Sequence, residues 1–355
     1  MLRIGHIHLD SPFVQAALSG YSDLPMRRLA RRFGASYALN EVVLDKFVLK
    51  PGKLQREILR VESDDHPVGG QLMGSNPEEF APAAFLMAEA GYDVIDINFG
   101  CPVRKVLGRC RGGFLLSQPD IAIDIVRRVV DAVGAKRPVT VKMRRGMDDG
   151  PESERNFFRI LDAAFELGVS GITVHGRTVE QRYIGPSHWP FLTRVKRHVG
   201  NRVILGSGDL FNAPDCLRMM KETGVDGVTI ARGCIGQPWI FRECRALALG
   251  DNWPPPLSIA EQREAIAGHW ADVMNHYGPQ IASKIMRKFG IKYAEHHPLS
   301  LEVRDAFIEV QSAEQFDAVL DRWYDADRDW PAVVRRAGVG DLIAAGATLC
   351  DVGDA

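Results

Sequence analysis

The chain has 355 residues, enough for a barrel-sized domain with an addition, and its 46% hydrophobic content is that of a soluble globule rather than a disordered or fibrous chain. Lys and Arg number 44 against 45 Asp and Glu, so a net charge of −1 gives no bulk sign of a nucleic-acid binder. The six cysteines are scattered without a Cys-x-x-Cys pair, which argues against structural zinc and for free thiols in a reducing compartment, with the cytoplasm as the expected location; no metal site is expected.

The first ten residues carry Arg3, His6, His8 and Asp10 and so lack the apolar core of a secretory leader. No later stretch is long and apolar enough to span a bilayer, so no membrane association is expected. Eight short β-rich runs follow: Phe13–Ala17, Ser36–Val43, Pro67–Met73, Val94–Gly100, Pro138–Met143, Gly171–Gly176, Arg202–Gly208 and Gly227–Gly233. Between most of them lie segments of helical period such as Asn76–Gly91, Asp120–Val133, Ser153–Gly168 and Asn212–Gly224, opening on Asn, Asp or Ser and often closing on Gly. Near-continuous apolar strands alternating with helices predict a parallel sheet covered by helices, and eight repeats within residues 1–250 fit a (β/α)8 TIM barrel. A doubly wound sheet is the alternative, but no strand leads into Gly-x-Gly-x-x-Gly.

Pro254-Pro255-Pro256 cannot continue a helix and reads as an extended linker. Beyond it, residues 257–337 are helical and strand-poor, with predicted helices Ile259–Tyr277, Ala282–His296, Leu301–Ile308 and Ala313–Trp323 forming a small C-terminal bundle. Residues 338–355, rich in Gly and Ala, read as a tail.

In such a barrel the C-terminal strand ends become neighbours, so collecting them tests for a site. They bring together Ala16-Ala17-Leu18, Gln71, Asn98 with Cys101, Lys142 with Arg144, His175, Ser207-Gly208-Asp209 and Ala231-Arg232. A lone cysteine beside a turn is more often structural. Cys101, however, stands between Gly100 and Pro102 at a strand end, with Arg104 and Lys105 following, as a reactive thiol would. Glycines after strands seven and eight suit a phosphate group, with tight βα turns as the alternative, and Arg232 adds a fork that suits phosphate. An inward-pointing ammonium at Lys142 needs an anionic or electron-rich partner. The cations around these strand ends suggest a phosphate-bearing ligand, although solvated arginines account for the same pattern equally well.

The segments DINFGCPVRKV from Asp96, VKMRRG from Val141, ITVHGRT from Ile172, GSGDL from Gly206, ARGCIGQPWIF from Ala231 and MRKFGIKY from Met286 carry a resemblance over most of residues 10–295. In this order and spacing the chain resembles the tRNA-dihydrouridine synthases, flavoenzymes that reduce a chosen uridine in tRNA. The resemblance implies a barrel holding FMN tightly without a covalent bond, NADPH as transient reductant and a helical domain that grips tRNA. It implies Cys101 as proton donor to the uracil ring and Asn98 near both flavin and target base. Gln71 and Lys142 would hold the isoalloxazine edge, and His175, Gly208, Asp209 and Arg232 the phosphate end, with Ala16, Ala17, Leu18, Ser207 and Ala231 completing the cofactor wall. The expected tRNA contacts are Asn98, Arg104, Lys105, Arg144, Arg177 and the helical stripe Lys284, Arg287, Lys288 and Lys292. Nothing in the sequence calls for an obligate protein partner. The chain departs from the family pattern at Ala17, Leu18, Ser207 and Ala231, each a small or similarly sized residue compatible with backbone contacts to a flavin. Two competing readings are a small-molecule FMN oxidoreductase of the dihydroorotate or dihydropyrimidine dehydrogenase type and a non-catalytic RNA-binding barrel.

Overall fold

The computed structural model describes residues 1–333 except 135, together with residue 335; the expected tail at 338–355 lies outside the described residues. The chain opens with an antiparallel hairpin, β1 (Leu2–Ile4) and β2 (Ile7–Leu9), turned by Gly5 at φ +59°. Nothing in the strand-length pattern predicts it, since three-residue strands are too short to show a period. Leu2, Ile4 and Leu9 pack with Val14, Tyr37, Leu39, Val94 and Leu205, closing the N-terminal end of the barrel opposite the site.

The strands that follow are β3 (Phe13–Gln15), β4 (Tyr37–Leu39), β5 (Val43–Leu44), β6 (Val68–Met73), β7 (Val94–Phe99), β8 (Val139–Arg144), β9 (Gly171–His175), β10 (Ile204–Ser207) and β11 (Gly227–Ile230). All pair in parallel, and the β4–β6 pairing closes eight of them into the expected barrel. The run expected as one strand over Ser36–Val43 is split. Both β4 and β5 pair with β6, but at its opposite ends, because the Asn40 side chain takes the place of a ladder partner: its Oδ1 accepts the Gln71 N–H at 2.8 Å.

Helices cover the barrel: α1 (Leu24–Arg32), α2 (Asp45–Leu49), α3 (Lys53–Ile58), α4 (Pro77–Glu89), α5 (Arg104–Leu107), α6 (Pro119–Val133), α7 (Pro151–Glu166), α8 (Trp189–Val199), α9 (Ala213–Thr223) and α10 (Ile240–Ala248). Several begin as the sequence implies: Asp23, Asn76 and Asn212 cap α1, α4 and α9 through side-chain oxygens, with proline in the first turn where no N–H is needed.

The linker at Pro254 carries no regular structure and is fastened back to α10 by the Trp253 indole, which donates to Glu243 at 3.1 Å. Four helices follow, α11 (Ile259–Tyr277), α12 (Pro279–Ala294), α13 (Ser300–Ile308) and α14 (Ala313–Trp323), the first opened by a Ser258/Glu261 capping box. The buried face of α12, with Met286, Phe289 and Tyr293 fully inside, holds this bundle together. Each such side chain contributes roughly 1.5–3 kcal/mol of burial. The bundle docks onto the barrel rim through Tyr277, whose hydroxyl donates to Asp23 at 3.1 Å, through an Arg32–Asp272 ion pair, and through Phe289 edge-on to Tyr21 at 5.3 Å. Among the described residues no helix is long and apolar enough to cross a membrane.

Candidate active site

A cavity of about 320 Å³ opens at the C-terminal ends of the barrel strands. Of the expected residues, Ala17, Leu18, Gln71, Asn98, Cys101, Lys142, Arg144, His175, Ser207, Gly208, Asp209, Ala231 and Arg232 all line it. Strand register explains the convergence: Gln71 lies opposite Asp96, and Asn98 opposite Lys142, on adjacent strands. Ala16 does not reach the cavity; it sits one step below the rim, buried, with its N–H given to Ile230 O at 2.9 Å.

Beneath the cavity runs a chain of buried hydrogen bonds. Thr140 Oγ1 donates to Asp96 Oδ1 at 2.6 Å, Gln71 Nε2 donates to Asp96 Oδ2 at 2.7 Å, and Asn98 Nδ2 donates to Gln71 Oε1 at 2.7 Å. Asn98 Oδ1 then accepts the backbone N–H groups of Gly100 and Cys101, both at 3.0 Å. Burial pushes the Cys101 thiol up, outweighing the Val103 backbone hydrogen bond and the Arg144 and Lys142 charges that pull it down. The thiol therefore keeps its proton at neutral pH, as a proton donor must. Arg104 and Lys105 stand exposed on α5, outside the cavity wall.

Lys142 faces the cavity with no hydrogen bond or ion pair to any described residue. Burial lowers its pKa to about 8, the Arg144 charge adding to the effect and Asp96 and Cys101 opposing it. His175 is driven well below the usual imidazole range by burial and by Arg144, Lys142, Arg177 and Arg232. Its Nδ1 accepts the Arg177 N–H at 3.1 Å, so the neutral ring carries its proton on Nε2.

Two arginines expected to face RNA are buried. Arg177 is 2% exposed and bound to Asp209, so the Asp209 carboxylate is engaged within the protein. Arg144 is 3% exposed; it donates to Gly100 O at 3.0 Å and to Thr178 O and Arg182 O, both at 2.7 Å, tying the cysteine turn to the loop after β9. The helical stripe also divides. Lys284 and Arg287 are exposed, whereas Lys288 donates to Gly20 O on the barrel rim and Lys292 pairs with Glu295 at 3.0 Å.

The glycines after strands seven and eight are demanded by packing. A Cβ on Gly208 would lie 2.4 Å from Ser187 Oγ, and one on Gly233 1.9 Å from Leu210 O. Both nonetheless line the cavity beside Arg232. Tyr183 is a site residue that the sequence does not signal: it reaches the cavity from the β9–α8 loop, with the Arg232 and Arg144 guanidinium groups 4.5 and 5.6 Å from its ring. A tyrosine in an irregular loop has no period to betray it. Asp96 is absent from the residues expected at the strand ends, although its place two residues before Asn98 puts it on the same strand face.

Among the described residues no cluster of three or more His, Cys, Asp or Glu is placed to hold a metal ion. A parallel eight-stranded barrel whose mouth gathers a protonated thiol, a depressed lysine and a guanidinium among backbone amides defines a barrel enzyme. Solved structures show the same fold: histamine dehydrogenase from Rhizobium sp. 4-9 superposes with a TM-score of 0.56 at 17% identity, covering 76% of this chain and 50% of that one. The dihydrouridine synthase (Dus) family model matches residues 14–327. A probable tRNA-dihydrouridine synthase of Mycobacterium tuberculosis is 34% identical over 330 residues, spanning 90% of this chain and 84% of that protein. The tRNA-dihydrouridine synthase B of Vibrio cholerae is 31% identical over 325 residues, spanning 91% and 99%. This chain belongs to the dihydrouridine synthase family.

Proposed function

We propose that this protein reduces uridine in tRNA to 5,6-dihydrouridine, with FMN in the barrel mouth and NADPH as electron source. The observation that carries the reading is that one cavity holds both a thiol kept protonated by burial and an unpaired lysine at the end of the neighbouring strand. The donors suit FMN. Lys142 and Gln71 would hold the isoalloxazine edge, and Arg232, the Nε2–H of His175 and the loop backbone at Gly208 and Gly233 suit a phosphate. The chemistry a flavin held there would supply, once reduced, is hydride donation to C6 of the pyrimidine.

The remaining steps belong to the chain. Lys142 offers its positive charge to the electron-rich ring edge, and the Asn98 amide holds the cysteine turn in place. Cys101 delivers its proton to C5, so the base gains two hydrogens in all and the thiolate is reprotonated from solvent. The barrel, residues 1–250, serves as the catalytic domain, and the segment from 257 to 337 orients tRNA, with Lys284 and Arg287 as its solvent-facing cations and the exposed Arg104 and Lys105 as further contacts. Mass spectrometry of tRNA from cells with and without the protein tests the reading. A uridine that carries two extra hydrogens only when the protein is present is the expected result; identical tRNA from both would remove it.

A further inference from the structure

The hydrogen bonds beneath the cavity have a direction, and Asp96 sets it. Each amide in the chain has one donor end and one acceptor end, whereas Asp96 accepts at both of its carboxyl oxygens. Asp96 therefore takes the amide nitrogen of Gln71 at 2.7 Å, which turns Gln71 Oε1 toward Asn98. That oxygen takes the amide nitrogen of Asn98 at 2.7 Å, which turns Asn98 Oδ1 toward the cysteine turn. Only with its oxygen on that side can Asn98 accept the N–H groups of Gly100 and Cys101. Thr140 holds the other carboxylate oxygen at 2.6 Å, so both ends of the chain are fixed. Asp96 itself is 3% exposed and does not line the cavity.

We infer that Asp96 is a positioning residue for the proton donor, acting through Gln71 and Asn98 to hold the Cys101 turn in register. This rests on Cys101 being the proton donor. In Asp96→Asn the new amide can present its nitrogen to Gln71, which then turns over, and Asn98 must follow. The nitrogen of Asn98 would then meet the N–H groups of the turn, donor against donor, and the turn is released. In the double variant Asp96→Asn, Asn98→Asp the chain is again consistent, with its direction reversed. The amide introduced at position 96 donates to Gln71, and Gln71 donates to the carboxylate introduced at position 98. The second oxygen of that carboxylate accepts the turn. The total charge is unchanged.

The test uses the full-length holoenzyme in a Cys110→Ser background, because Cys110 is the exposed thiol among the described cysteines. Two quantities are read: the rate at which tRNA reoxidises the reduced flavin, and the rate at which iodoacetamide alkylates Cys101. Asp96→Asn should slow flavin reoxidation by roughly 10–100-fold, the scale on which a displaced group loses rate, and should speed alkylation by about tenfold. The double variant should recover most of both changes, which a merely stabilising role for Asp96 does not predict. In a Cys101→Ala background the effect of Asp96→Asn on reoxidation should shrink to a few-fold at most, since only the Gln71 contact to the flavin edge is then disturbed. Full effect of Asp96→Asn without Cys101, or a double variant no better than either single one, overturns the inference. If Asp96→Asn does not fold, Asn98→Asp alone against the double variant decides it by the same recovery. Should Cys101→Ala itself reoxidise at the normal rate, the fault lies with the proton-donor assignment instead.

Discussion

Arg177 and Asp209 form an ion pair sealed inside the protein: Nη2 lies 2.6 and 2.9 Å from the two carboxylate oxygens, and neither side chain is more than 5% exposed. The same carboxylate accepts the Ser187 N–H at 2.7 Å, and the guanidinium also donates to Gly185 O. The pair thus pins the loop carrying Tyr183 against the turn after β10. Arg177→Met would leave a buried carboxylate without its partner, at a cost of about 3–5 kcal/mol. A urea midpoint unchanged from wild type would contradict this, as would a shallower salt dependence of tRNA binding, because the arginine does not face solvent.

Cys101→Ala should leave flavin binding and NADPH oxidation intact while slowing uridine reduction by ~10²–10⁴, the usual worth of a positioned general acid. Stopped-flow reoxidation by tRNA separates the two halves of the cycle. Cys110→Ser should be silent, since that thiol is exposed. Cys216, Cys234 and Cys244 are buried, so serine there costs roughly 1–3 kcal/mol of stability for an imperfectly satisfied hydroxyl while the chemistry persists. Normal dihydrouridine formation by Cys101→Ala would make the thiol structural.

Lys142 titrates at about 8 in the folded protein against an ordinary 10.5. Because the folded value is depressed, the unfolded chain holds the extra proton between those two values, and the cofactor-free protein should gain stability as pH rises through that window. Ligand binding runs the other way. An electron-rich flavin edge favours the ammonium, so affinity for FMN should fall as pH rises through about 8. Fluorescence titrations from about pH 7 to about pH 9.5, which bracket that value, check this. Lys142→Met should bind more weakly at the acid end of the series and show a flat profile; a wild-type profile that is also flat would separate Lys142 from the flavin.

Arg232→Ala should weaken FMN binding by roughly 1.5–3 kcal/mol, the worth of a charge-assisted phosphate hydrogen bond. Riboflavin, which lacks the phosphate, provides the control. Its affinity should be nearly the same in wild type and variant, and an equal loss for both ligands would place Arg232 away from the phosphate.

Lys284 and Arg287 face solvent on α12, whereas Lys288 and Lys292 are engaged within the protein. Changing the first two to Ala should reduce the slope of log tRNA affinity against log salt by nearly two, about one unit for each cation that neutralises a phosphate. Lys288→Ala should leave that slope alone and loosen the helical segment from the rim at Gly20. Electrophoretic mobility shifts over a salt series distinguish them. Equal slopes for all variants would make the stripe an ordinary solvated face.

The sequence by itself determined the eight-strand, helix-covered barrel, because apolar runs of strand length alternating with capped helical periods admit few other arrangements. It also determined which residue types meet at the mouth, since the ends of parallel strands converge wherever a barrel closes. Tertiary structure alone decided what each charge does. Arg144, Arg177 and Lys288 look like RNA contacts in sequence, but the burial of the two arginines and the partners of all three, three backbone carbonyls, Asp209 and Gly20 O respectively, tie them to loops. Tyr183 and the hairpin at Leu2–Leu9 carried no periodic pattern, so only packing revealed them. The protonated state of Cys101 was open as well. Nearby cations favour a thiolate and burial opposes it, and the balance depends on distances that no linear pattern encodes.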